Sequence, residues 1–335
     1  MNKIKKTLII AEAGVNHNGN INYAKKLVFF AKKAGADYIK FQTFKADNLV
    51  TKNAALVNYQ KENNLKSQHQ LLKKLELSES QHKEIINYCK KINIRFLSTP
   101  FDVESCRLLK KLGLKTIKIP SGEINNYPLL IEISKFAQKV ILSTGMSNIN
   151  EIKSAIKILK KNSLKNKDIV VLHCTTNYPV SPEDANILAI NFLKKKLKNR
   201  IGYSDHTLGN EAAIAAVTLG ALFIEKHITL NKNFPGPDHK ASLDPTQFHD
   251  FVSSIRKAEK ILGKEKKFLT LSEKKIKKLV RKSIVATNDI KKGEMFTIEN
   301  IGCKRPEGGL APKFWDKVIS RKSKFFFKRD SFIKI

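Results

Sequence analysis

The chain predicts an α/β fold: a (β/α)8 TIM barrel followed by a small β-rich domain. Three observations lead there. Eight short apolar runs recur within the first 229 residues, helix-like stretches separate most of them, and after residue 280 the texture changes to short β-like pieces around turn signals. A length of 335 residues suits one large domain plus a small one. A doubly wound open sheet would give a similar rhythm, and the count of eight favours the closed barrel.

The runs are LIIAEAG (8–14), YIKFQTF (38–44), RFLSTPF (95–101), TIKIPSG (116–122), KVILSTG (139–145), IVVLHCT (169–175), RIGYSDH (200–206) and FIEKHIT (223–229). After the fifth, Ile149, Ile152, Ala155, Ile156 and Leu159 share one helical face behind the capping-box pair Asn148 and Glu151. Ser78 and Gln81 open the helix that leads to Tyr88. Residues 45–94, between the second and third runs, are too long for an ordinary connection and read as part loop, part helix, with a lid as one role. After the eighth run, Asp244 and Pro245 start a helix whose apolar stripe is Phe248, Phe251, Val252, Ile255, Ala258 and Leu262, ending at Gly263. The domains are therefore a barrel at 1–263, a lysine-rich linker of helical character at 264–280 and a small domain at 281–335.

Charge is the odd feature, with 63 Lys and Arg against 30 Asp and Glu giving +33. The excess is mostly lysine spread along helical segments, with no aromatic-interleaved patch, so it reads as solvated faces and not as a nucleic-acid site. The four cysteines (Cys89, Cys106, Cys174, Cys303) are scattered without a CxxC pair, which fits a reducing compartment. Glu12 ends the first apolar run too early for a secretory segment or a membrane span. These readings predict a cytoplasmic protein with neither nucleic acid nor membrane as partner.

Polar residues gather at the C-terminal ends of the runs, where barrel enzymes keep their chemistry. Lys40, Thr99, Lys118, Ser121 and Ser143 would form a cage of ammonium and hydroxyl groups suited to phosphate and carboxylate. Side chains alternate along a strand, so Ser204 shares a face with His206, and Glu225 with His227. Two imidazoles on neighbouring strands would hold one divalent metal with open positions, although paired core histidines give the same pattern. Glu12, Gln42, Glu123, Tyr178 and Asp238 complete the mouth with groups that grip hydroxyls or position water. His17, in the first βα loop, is either a ligand contact or a turn residue.

The motifs AEAGVNHNG, KFQTFKAD, STPFD, KIPSGE, LSTGM, LHCTTNYP, YSDHT, EKHIT and GPDHKAS, followed by RKSI and KRPEGG, resemble the bacterial sialic acid synthases over essentially the whole chain. The resemblance implies an antifreeze-like (SAF) C-terminal domain, a domain-swapped homodimer and a metal of the manganese type, with magnesium or cobalt as alternatives. It implies metal ligation by His206 and His227, and phosphoenolpyruvate binding by Lys40, Thr99, Lys118, Ser121, Ser143 and Ser204. It further implies sugar contacts from Glu12, Gln42, Tyr178, Asp238 and, across the dimer, Arg305. The tail VISRKSKFFFKRDSFIKI lacks the glycine-punctuated turn that family tails often show, which leaves the final strands of the small domain open.

The expected activity is condensation of phosphoenolpyruvate with N-acetylmannosamine or a related N-acetylated amino sugar, giving a nonulosonic acid and phosphate. KFQTF, in place of the KHQTH that pseudaminate synthases tend to carry, resembles both the N-acetylneuraminate and the N,N'-diacetyllegionaminate synthases, so N,N'-diacetyllegionaminate synthesis is the alternative. Glu12, Glu123 and Lys118 are the candidate catalytic residues, Glu123 by orienting water. The rivals are a Schiff-base aldolase using Lys40 or Lys118, and a basic nucleic-acid-binding protein.

Overall fold

Each apolar run forms a strand buried on both faces, as parallel strands under helices must be. The computed structural model describes residues 6–52, 54 and 67–335. The strands are β1 (Leu8–Gly14), β2 (Tyr38–Thr43), β3 (Arg95–Pro100), β4 (Thr116–Ile119), β5 (Lys139–Ser143), β6 (Ile169–His173), β7 (Arg200–Asp205) and β8 (Phe223–His227). Their order is β3-β2-β1-β8-β7-β6-β5-β4, all ladders are parallel, and β3 packs against β4 to close the barrel.

The surrounding helices are α1 (Ile21–Ala34), α2 (Ala46–Leu49), α3 (Gln68–Leu75), α4 (Glu79–Lys91), α5 (Val103–Lys111), α6 (Tyr127–Ser134), α7 (Ile149–Leu159), α8 (Ala189–Lys196), α9 (Glu211–Thr218) and α10 (Pro245–Leu262). The capping boxes at Ser78, Asn148 and Asp244 all form, each pairing a side chain with an orphan N–H of the first turn. In α10 the stripe from Phe248 to Ala258 is buried, whereas Leu262 is exposed. Within the long second connection, α4 packs on α1 and β3 as an ordinary barrel helix. The surplus is the segment before it, of which residues 53 and 55–66 lie outside the described residues.

Strand alternation sorts the barrel into two shells. Ile9, Ala11, Ile39, Val140, Val171, Ile201 and Ile224 point outward into the main core beneath the helices. Ile10, Tyr38, Leu97, Ile141, Leu172 and Phe223 point inward and fill the lower barrel. Two residues further along the same strands, on the same inward face, come Glu12, Lys40, Thr99, Ser143 and Glu225. An apolar plug thus supports a polar layer.

The chain divides into two units, 1–263 and 264–335. The second holds α11 (Leu271–Val280), the antiparallel pair β9 (Ser283–Ala286) and β10 (Ile301–Lys304), and α12 (Trp315–Val318). Its core is Ile284, Ala286, Ile290, Phe296, Ile301, Val318, Phe327 and Ile333. The atypical tail folds into this core, through antiparallel bridges Met295 to Lys322, Ile290 to Phe327 and Val285 to Phe332. Apolar residues at Phe327 and Ile333 supply the packing that a glycine turn does not. Among the described residues no helix is long and apolar enough to cross a membrane.

Candidate active site

The inward polar layer opens into a cavity of about 330 Å³ lined by Glu12, Lys40, Gln42, Thr99, Lys118, Ser121, Glu123, Ser143, Tyr178, Ser204, His206, His227 and Asp238. One cavity therefore collects all the candidate residues of the barrel unit except His17. Arg305 belongs to the second unit, where it is exposed ahead of Pro306. Its loop is held by Ser283, whose hydroxyl accepts from the N–H groups of Gly308 and Gly309 and donates to Pro306 O at 2.8 Å.

The two lysines are not a bare cationic cage. Lys40 Nζ lies 2.7 Å from Glu12 Oε2 and 3.4 Å from Glu225 Oε1, and Lys118 Nζ lies 3.5 Å from the same Glu225 oxygen. Hydroxyls complete the layer: Lys118 donates to Ser143 at 2.7 Å, Lys40 to Thr99 at 3.3 Å and Ser204 to Glu225 at 3.0 Å. Burial alone would raise Glu225, yet the ammonium groups of Lys118 and Lys40 hold it down to about 2. Glu12 goes the other way, raised to about 7 by burial against the opposing pull of Lys40. Burial also lowers Lys118. One carboxylate stays ionised while its neighbour holds a proton readily, so the layer keeps spare positive charge for an anion.

Glu225 was not among the residues selected from sequence. The signal was present, since it shares the face of His227, but nothing in one strand shows that two lysines from other strands meet it. Helix α3 contributes Leu71, Leu72 and Leu75 to the cavity wall, which also went unread because their connection carries no barrel signature.

Above the lysine layer two polar groupings flank the opening. Gly14, with φ +50°, brings the chain so close that an added Cβ would stand 3.1 Å from Glu12 Oε1, 3.3 Å from Asp238 Oδ2 and 3.5 Å from Gln42 Nε2. Those three side chains therefore converge on one spot, with Asp238 raised to about 6 by burial. On the far side Gly145 N donates to Ser121 Oγ at 2.9 Å, and Glu123 accepts from Asn126 at 2.6 Å. Burial raises Glu123.

His206 and His227 stand with ring centroids 5.6 Å apart, and the Tyr178 ring lies 4.3 Å from His206. His206 Nδ1 donates to Thr175 O at 2.8 Å, which leaves the lone pair on Nε2. His227 Nδ1 is buried without a hydrogen-bond partner, 3.8 Å from Asp238 Oδ2. Burial lowers both rings, His206 to about 4, so both are neutral. Two neutral imidazoles, one with its tautomer fixed and one orphaned, fit a divalent metal as donors. Among the described residues no set of three or more His, Cys, Asp or Glu forms a metal cage, so such an ion would keep positions open for water or substrate oxygens. His17 lies outside the lining of this cavity: its Nδ1 accepts from Gly19 N at 3.0 Å within the first βα turn, and its buried Nε2 has no hydrogen-bond partner among the described residues.

Paired lysines, hydroxyls and carboxylates at the C-terminal mouth of an eight-stranded barrel define an enzyme for small anionic substrates. The chain belongs to the NeuB family, whose match spans residues 27–267, and residues 281–334 match the SAF domain. It is 49% identical to the N,N'-diacetyllegionaminic acid synthase of Campylobacter jejuni over 333 residues, covering 99% of this chain and 100% of that one. Its identity to the synthase of the same name from Legionella pneumophila is 45%, covering 93% and 88%. Among solved structures it resembles the N-acetylneuraminic acid synthetase of Leptospira borgpetersenii, with a TM-score of 0.71 at 35% identity, covering 81% of this chain and 90% of that one.

Proposed function

We propose that this chain condenses phosphoenolpyruvate with an N-acetylated amino sugar, releasing inorganic phosphate and a nonulosonic acid. The observation that carries the reading is the single cavity in which a lysine–hydroxyl layer adjoins the Glu12, Gln42 and Asp238 cluster and the two imidazoles. Lys118, Lys40, Ser143 and Thr99 hold the phosphate and carboxylate of phosphoenolpyruvate. Glu12, Gln42, Asp238 and Tyr178 hold the open-chain sugar. Held together, C3 of phosphoenolpyruvate attacks the aldehyde carbon, and positive charge develops at C2. Glu123 orients the water that adds to C2, after which the C–O bond breaks, phosphate leaves and the 2-keto acid remains. A divalent metal on His206 and His227, manganese before magnesium or cobalt, would supply a Lewis acid for the aldehyde. Arg305 of a second chain completes the site in a domain-swapped homodimer. The unpaired thiols of Cys89, Cys106, Cys174 and Cys303 support a cytoplasmic location.

Sequence alone put N-acetylmannosamine first as acceptor. Full-length identity of 49% to a diacetyllegionaminic acid synthase favours the second reading, a doubly N-acetylated sugar. Incubation with phosphoenolpyruvate and each acceptor, followed by mass spectrometry, decides between them; no condensed product from either would refute both.

A further inference from the structure

Directly behind the two histidines lies a buried ion pair to which the reaction above gives no task. Asp205 and Lys226 precede His206 and His227, face one another in the β7–β8 register and point outward while the histidines point in. Lys226 Nζ lies 2.8 Å from Asp205 Oδ2, and each residue is only 1% exposed. The ammonium also donates to Thr207 O at 2.5 Å and Gly209 O at 3.3 Å, so its three protons have three acceptors. Asp205 Oδ1 in turn accepts from Thr207 N at 2.9 Å and Thr207 Oγ1 at 2.7 Å.

This network does more than join two strands. It grips the backbone on the C-terminal side of His206, at Thr207 and Gly209, and clamps β7 to β8 at the level where both imidazoles leave the sheet. The same turn continues to the sugar side: Thr207 bridges to Val180, and Val180 N donates to His206 O at 2.9 Å, two residues beyond Tyr178. A fully satisfied ion pair of this kind costs much to desolvate and contributes little net stability over an apolar pair, so what it supplies here is geometric definition.

We propose that Asp205 and Lys226 are positioning residues that set the separation and orientation of His206 and His227 for a divalent metal. The inference rests on those histidines holding the metal. The test uses the full-length D205N/K226M protein, which removes both charges together and leaves neither buried alone. Manganese binding to metal-free protein is measured by titration calorimetry, alongside protection against thermal unfolding by phosphoenolpyruvate in chelator. The expected result is manganese affinity weakened by about 10–100-fold, as for partners that orient ligands, with protection by phosphoenolpyruvate unchanged. Equal manganese affinity in variant and parent overturns the clamp alone. If the parent binds no manganese, the metal reading itself fails and the clamp falls with it. Should the double variant not fold, Thr207→Val keeps the ion pair and removes one contact to Asp205; about fivefold weaker manganese binding is expected, and no change contradicts the proposal.

Discussion

Glu225 Oε1 lies between the ammonium groups of Lys40 and Lys118, 3.4 Å from one and 3.5 Å from the other. This shared oxygen sets the charge of the cavity floor. Replacing Glu225 with Gln keeps the shape and leaves two buried ammonium groups with one carboxylate. Breaking a buried pair in this way costs about 3–5 kcal/mol, so a clear fall in thermal stability and loss of most activity are expected. Unchanged melting and turnover would mean that the lysines do not depend on it.

Lys118→Ala should raise the KM for phosphoenolpyruvate more than that for the sugar, because the lost contact is with an anion and is worth about 1.5–3 kcal/mol. Steady-state kinetics with each substrate varied in turn checks this. Equal weakening of both would remove Lys118 from the phosphate site. Burial lowers Lys118, as a Schiff-base nucleophile also requires, so borohydride trapping with pyruvate distinguishes the aldolase reading.

Chelation should abolish turnover, and manganese should restore it. His206→Ala and His227→Ala should both be inactive and show no restoration. Near-normal activity in either variant would refute the metal role.

His17 gives a pH prediction for stability. Burial lowers its ring to about 3, so the folded protein holds it neutral while the unfolded chain takes up a proton below its ordinary value near 6.5. The contribution is complete above that value and is lost as pH falls towards 3. Each pH unit within this window removes up to about 1.4 kcal/mol. The melting temperature should therefore fall between pH 7 and 5, and fall less in His17→Asn, whose side-chain oxygen can still accept from Gly19 N. Equal falls would assign the loss to other groups.

The proposed domain-swapped homodimer predicts that Arg305→Ala and His206→Ala proteins are each nearly inactive, and that mixed dimers regain activity towards half that of the parent. Verified heterodimers that stay inactive would show that Arg305 does not complete a second chain's site.

Much of the barrel was legible because parallel strands under helices must be apolar runs, and because alternation fixes which residues share a face. That logic put Lys40, Thr99, Ser143, Ser204, His206 and His227 at one mouth. It did not show that Glu12 and Glu225 contact the lysines, since those partners come from different strands and meet only when the barrel closes. Nor did it distinguish Asp205 and Lys226 from ordinary outward residues. The tail was obscured for the opposite reason: its extended segments are held by single bridges and by side chains such as Phe327 and Ile333, and not by a recognisable turn.

The most direct test follows the bridging oxygen of phosphoenolpyruvate. With oxygen-18 in that position and a doubly N-acetylated sugar or N-acetylmannosamine as acceptor, mass spectrometry should find the label in inorganic phosphate beside an unlabelled nonulosonic acid. Label retained in the sugar acid, or phosphate released without a condensed product, would contradict the account.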